Sequence, residues 1–128
     1  MSARKILRHI FRFRGLLESM KFALNGIAYL FIYHRNMRII FLCGLFTFIM
    51  GMYFKLNRAE LVALSVTITI VFMAEIFNTA IEMMMDMVKV KYHTLIKLIK
   101  DIAAAVVLLA SLNAIAVGYI LFAKKIFK

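Results

Sequence analysis

Twenty-one consecutive residues, Ile102 to Phe122, carry no charged side chain. At 1.5 Å per residue a helix of that length crosses a hydrocarbon core of about 30 Å. The run has two companions. Ile39 to Phe54 holds sixteen residues without a charge, a little under the usual span and extended by flanking side chains that reach the interface. Leu61 to Val88 reads as one long helix, apolar at its start and dotted with acids toward its end. These segments use most of the 128 residues, and a chain in lipid must satisfy its backbone within helices or a closed barrel. The sequence therefore predicts an all-α membrane protein with one membrane-embedded domain over 1–128. Its transmembrane helices are expected at about 37–55, 60–88 and 100–123. Composition agrees: 65% of the residues are hydrophobic and the mean hydropathy is +0.92, whereas a soluble domain is roughly half apolar.

Ahead of the first span, Ile6, Leu7, Ile10, Phe13, Leu16, Leu17, Met20 and Leu24 recur at helical spacing among basic residues. This predicts an amphipathic surface helix over about 4–33, too charged to span. It lies along the membrane, packs on the cytoplasmic end of the bundle, or does both. Lys55 to Glu60 is a short polar turn, and Lys89 to Asp101 a basic amphipathic connection.

The net charge of +11 raises nucleic acid as a partner, and its placement argues against that. Eight of the 17 basic residues precede the first long apolar run: Arg4, Lys5, Arg8, Arg12, Arg14, Lys21, Arg35 and Arg38. That is a flank held against anionic lipid, with no polar domain to carry a nucleic-acid interface. The positive-inside rule puts this flank and the Lys89–Lys100 connection in the cytoplasm and the Lys55–Glu60 turn outside. Lys124, Lys125 and Lys128 then fall outside, against the trend. The single cysteine, Cys43, lies in an apolar run, so there is no disulfide framework and the thiol reads as a small hydrophobe. No short apolar core with a small-residue cleavage site opens the chain, so no signal peptide is expected.

The chemistry is carried by Ala74-Glu-Ile-Phe-Asn-Thr-Ala-Ile-Glu-Met-Met-Met-Asp86. At about 100° per residue, Glu75, Asn78, Glu82 and Asp86 share an arc of about 80° on one side of a helix. A carboxylate inside a span costs on the order of 3 kcal/mol, so such residues face the bundle interior and mark a site. With Leu61 at the outer edge of the apolar layer, the inner edge falls near Ala80. Glu75 then sits about 7 Å inside, and Glu82 and Asp86 emerge into water. Lys100 and Asp101 stand at the same boundary, at the start of the third span. A membrane phosphotransferase needs such a set. A base must lie near the lipid hydroxyl, oxygen ligands must hold a hard cation, and a cation must face the phosphates. Glu75 suits the first role; Glu82, Asp86 and Lys100 suit the others. The same residues could instead form interhelical hydrogen bonds and ion pairs, or serve ion transport or a proton relay. Neither a G-x-x-x-x-G-K-[ST] loop nor the glycine-rich loop, H-R-D and D-F-G set of soluble kinases is present.

At these residues the sequence resembles the prokaryotic diacylglycerol kinase family, which includes the undecaprenol kinases. Glu75-Ile-Phe-Asn-Thr-Ala-Ile-Glu82 followed by Asp86 matches the signature E-x-x-N-[ST]-A-[IV]-E-x-x-x-D. Tyr92-His93 and Lys100-Asp101-Ile-Ala-Ala match its next landmarks, and Ser19-Met-Lys-Phe-Ala-Leu-Asn-Gly26 and Arg35-Asn-Met-Arg38 its upstream pattern. The similarity runs from Ser19 to Gly118. The resemblance implies three transmembrane helices and a surface helix, assembled as a homotrimer with active sites between subunits. It implies phosphorylation of a lipid hydroxyl by ATP with Mg2+ at the cytoplasmic face of a bacterial inner membrane, the N-terminus being cytoplasmic.

By residue, the resemblance implies Glu75 as general base and as a lipid-substrate residue together with Ser19. It implies Glu82 as a magnesium and nucleotide ligand. Phe22, Asn78, Asp86, Lys91, Tyr92, His93, Lys100 and Asp101 are implied around the nucleotide, and Arg14 is the candidate for the family's N-terminal arginine. One position departs. Where the family carries a metal-binding glutamate before Arg-Asn-Met-Arg, this chain has His34, and imidazole is a poor ligand for magnesium. A lipid kinase is the leading expectation, with undecaprenol or diacylglycerol as acceptor and the Arg35–Arg38 motif tilting toward undecaprenol. A catalytically impaired lipid- or nucleotide-binding membrane subunit is the second, motivated by His34, and a small cation or proton transporter the third.

Overall fold

The computed structural model describes residues 13–88 and 93–127, with side chains from 15–88 and 94–127. Four helices account for nearly all of them: α1 (Phe13–Tyr33), α2 (Arg35–Tyr53), α3 (Arg58–Met87) and α4 (His93–Ile126). No strand occurs among the described residues. The all-α membrane class read from the sequence is the class observed, for α2, α3 and α4 are each long and apolar enough to cross a membrane. The expected start of the surface helix at 4–12 lies outside the described residues.

The chain divides into two compact units, 1–35 and 36–128. In the first, α1 presents an unbroken run of exposed side chains from Gly15 to Tyr29. Ser19 Oγ donates to the Gly15 carbonyl at 2.7 Å, which satisfies the hydroxyl within its own helix. Tyr29 and Tyr33, one turn apart, bring their rings to 4.7 Å.

In the second unit α2, α3 and α4 run antiparallel in succession. The α2–α3 turn is built entirely from local signals. Lys55 N–H donates to the Met52 carbonyl and Leu56 N–H to that of Gly51, both at 3.1 Å, the two bonds of a Schellman ending. Lys55 takes the left-handed position with φ of 54°. A Cβ there costs roughly 1–2 kcal/mol relative to glycine. Two residues on, Asn57 caps α3: its side chain accepts from Glu60 N–H at 2.9 Å, and Glu60 accepts from Asn57 N–H at 2.8 Å. This reciprocal capping box starts α3 at Arg58, inside the stretch expected to be turn. At the other boundary, Thr94 to Asp101, expected as connection, belongs to α4. It contains neither glycine nor proline, and its Leu, Ile and Lys residues sustain a helix.

Packing between α2 and α3 depends on two glycines seven residues apart. A Cβ at Gly44 would stand 2.8 Å from Ile68 Cγ2, and one at Gly51 2.9 Å from Leu64 Cδ2. Farther along, Phe41 meets Phe72 with ring centroids 6.3 Å apart. α3 and α4 lie side by side over the greatest length of any helix pair, and Phe54 of the turn meets Phe122 of α4 edge-on at 6.0 Å. Hydroxyls in the apolar layer fold back on their helices: Thr47 bonds the Cys43 carbonyl at 2.7 Å and Thr67 that of Ala63 at 2.8 Å.

Few side chains are buried within the single chain. Met37, Leu56, Leu64, Ala74, Ala103 and Ala110 form the apolar core, and only 6% of the most apolar window of α4 is covered. Apolar surface on that scale is suited to hydrocarbon or to further copies of the chain.

Candidate active site

α3 carries Glu75, Asn78, Glu82 and Asp86, and exposure rises along it. Glu75 is 5% exposed, Asn78 is half-buried, and Glu82 and Asp86 are exposed. No hydrogen bond or ion pair reaches Glu75 among the described residues. Its neighbours on the covered face are Ala74 and Thr79, 5% and 3% exposed. Thr79 was not singled out in the sequence; its signal was the spacing of four from Glu75, which returns it to the same helix face.

One turn beyond Glu75, Asn78 Nδ2 donates to Glu82 Oε1 at 3.3 Å. That orients the amide, and it leaves Asn78 Oδ1 buried with no partner among the described residues. An acceptor in that state favours a donor or a cation from outside the described residues. At the exposed end Lys100 of α4 donates to Asp86 Oδ1 at 2.5 Å. This contact bridges the two helices, a pairing that sequence spacing alone could not specify because it depends on how α4 returns beside α3. Asp101, next to Lys100, is exposed and without an ion pair among the described residues.

The structure thus joins Asn78 to Glu82 and Asp86 to Lys100, and sets Glu75 one turn deeper than the first pair. Ser19, Phe22 and His34 belong to the α1 unit. Phe22 is exposed, and the half-buried His34 ring lies 6.0 Å from that of Tyr29. His93 is the first residue of α4, while Lys91 and Tyr92 lie outside the described residues. Arg14 lies on α1.

A divalent cation implied by the resemblance can be tested against these donors. No group of three or more His, Cys, Asp or Glu side chains converges among the described residues. Magnesium does not require one. It commonly takes one or two carboxylates and completes its shell with water and substrate phosphates. Glu82 and the orphaned Asn78 oxygen are hard oxygen donors of the right kind, one helical turn apart, so the residues present fit the ion.

A sequence profile described as prokaryotic diacylglycerol kinase matches residues 21–122, most of the chain and all of this stripe. The chain belongs to the prokaryotic diacylglycerol kinase family. A curated diacylglycerol kinase from Synechocystis sp. is 36% identical to it over 105 residues, which is 81% of this chain. The match spans 60% of that relative's length. In this member of the family the Glu75–Asp86 stripe, Lys100 and the His34 position all fall inside the matched stretch.

Proposed function

We propose that this chain transfers the γ-phosphate of ATP to the hydroxyl of a membrane lipid alcohol. The observation that carries the reading is the graded stripe of α3, with a buried, unpartnered carboxylate at Glu75 and paired polar residues at its exposed end. Glu82 stands about 10 Å along the helix axis from Glu75, and Asp86 about 16 Å. A lipid hydroxyl in the apolar layer and a nucleotide in water are separated in the same direction.

In this mechanism Glu75 accepts the proton of the lipid hydroxyl as its oxygen bonds the γ-phosphorus. The bond from that phosphorus to the bridging oxygen breaks, ADP leaves, and the proton remains on Glu75 until water takes it. Glu82 and Asn78 Oδ1 would hold the magnesium ion, which supplies charge neutralisation at the phosphates when bound. Lys100 exchanges Asp86 for phosphate oxygen. Phe22, Lys91, Tyr92, His93 and Asp101 complete the nucleotide environment, and Ser19 the lipid side. The working unit is a homotrimer, whose further copies cover the apolar faces left open on one chain. The whole chain acts as one domain in a bacterial inner membrane, with the N-terminus and the site cytoplasmic. The Arg35–Arg38 motif favours undecaprenol over diacylglycerol.

His34 motivates a second reading, a lipid- or nucleotide-binding subunit without turnover. Transfer of radiolabelled phosphate from ATP to undecaprenol and to diacylglycerol in mixed micelles tests both. Labelled lipid is expected. Its absence with both acceptors, from folded protein that still binds nucleotide, overturns the kinase reading in favour of the second. His34→Glu is expected to sharpen the magnesium dependence; an unchanged metal profile removes position 34 from the metal site.

A further inference from the structure

The end of the bundle remote from the acidic stripe carries a second charged feature. Lys55 and Arg58 flank the α2–α3 turn, and Lys124 and Lys125 stand in the last turn of α4. The edge-on contact of Phe54 with Phe122 brings these helix ends to one level. None of the four cations has an ion-pair partner among the described residues. The neighbouring acid, Glu60, is engaged by the Asn57 amide at 2.8 Å. Arg58 and Asp86 lie about 42 Å apart along α3, so this end and the acidic end face opposite sides of a bilayer.

Two of these cations are held where local structure disfavours them. Lys55 occupies the left-handed position of the Schellman ending, where glycine is the preferred residue. Arg58 opens α3, where the helix macrodipole already presents positive charge. Lys124 and Lys125, at a helix C-terminus, suit their dipole and need no special reason. An anion shared among the four would offset both unfavourable placements. Charge-free residues end at Phe54, just past α2, and at Ala123 on α4, so the four cations begin at the level of lipid headgroups. Tyr53 and Phe127, 76% and 84% exposed, supply aromatic side chains at that level.

We propose that the Lys55, Arg58, Lys124 and Lys125 end is a docking surface for an anionic phospholipid headgroup. The lipid phosphate accepts from the ammonium and guanidinium groups, and its acyl chains lie along the apolar faces of α2 and α4. This surface is independent of the phosphotransfer site and does not rest on that reading.

The test uses the full chain in nanodiscs of phosphatidylcholine alone or with phosphatidylglycerol, read by thermal unfolding and by native mass spectrometry. Phosphatidylglycerol is expected to raise the midpoint of the wild-type protein by about 4 °C and to remain attached after release from the disc. In Lys55→Gly/Arg58→Gln/Lys124→Gln/Lys125→Gln the gap between the two lipids should fall by at least half and the retained lipid be lost. Each protein is compared with itself in the two lipids, so a general change in stability cancels. Should the fourfold variant fail to fold, Lys55→Gly/Arg58→Gln, which removes only the disfavoured placements, is expected to narrow the gap by itself. An undiminished gap in the folded variant overturns the proposal and moves the lipid effect to the other end. Inorganic phosphate added to phosphatidylcholine discs should leave the midpoint unchanged; an equal rise would show that a free anion, not a lipid, occupies the surface.

Discussion

At its N-terminal end α3 has its backbone groups met locally: Asn57 and Glu60 exchange bonds across the cap, and the preceding turn closes both Schellman bonds. Eighteen residues beyond Asn57, Glu75 is buried without a bond, and Asn78 keeps an oxygen with no donor among the described residues. A buried acceptor in that condition costs about 1–3 kcal/mol, and a carboxylate within a span more. The backbone of the first end is completed by its own residues, which defines where the helix begins. The second is completed only when something else arrives. Stability is therefore concentrated at the turn and chemistry at the stripe, and substitutions at the two ends should separate cleanly.

The largest expected effect is at the base. Glu75→Gln keeps the shape and removes the proton acceptor, so turnover should fall by about 10³-fold while the size of the detergent-solubilised assembly stays the same. Residual activity within tenfold of wild type would take the base role from Glu75. Next is Asn78→Leu, which deletes the orphaned oxygen together with the bond to Glu82. Phosphate transfer should drop by about 10- to 100-fold, with resistance to unfolding in a sodium dodecyl sulfate titration unchanged or raised. A loss of both would mean that Asn78 is structural and would dissolve the contrast between the ends.

Smaller effects belong to the completed end. Gly51→Ala places a Cβ against Leu64 and Leu56 and should cost about 1–3 kcal/mol in the same titration. The specific activity of the molecules that remain folded should be preserved. Asn57→Ala removes the capping box, at about 1 kcal/mol. Lys55→Gly relieves the left-handed Cβ and should stabilise by up to about 1 kcal/mol in phosphatidylcholine. Destabilisation there would show that Lys55 contributes more through its side chain than its backbone position costs.

Much of this was legible in advance, and the reason lies in the solvent. Apolar runs as long as Ile102–Phe122 have few alternatives in lipid, and the spacing of Glu75, Asn78, Glu82 and Asp86 fixes a common helix face before any packing is known. The capping box was also written in the chain, as Asn57 and Glu60, but a polar cluster reads equally well as turn, so α3 begins earlier than expected. The join between Asp86 and Lys100 is different. It spans fourteen residues and two helices, and no periodicity within either helix encodes it. Lys55 offers a similar lesson, because nothing about a lysine announces the left-handed backbone that the Schellman ending imposes.

The charge-free stretches along α2 and α4 differ in length, sixteen residues from Ile39 to Phe54 against twenty-two from Ile102 to Ala123. As helices they measure about 24 Å and about 33 Å. A flat membrane of uniform thickness cannot match both. Either α4 tilts, the bilayer thins around α2, or side chains flanking α2 reach out to the interface. Acyl-chain length then becomes a mechanical input. Thicker membranes strain α2 and thinner ones tilt α4, the helix that carries Lys100 to Asp86.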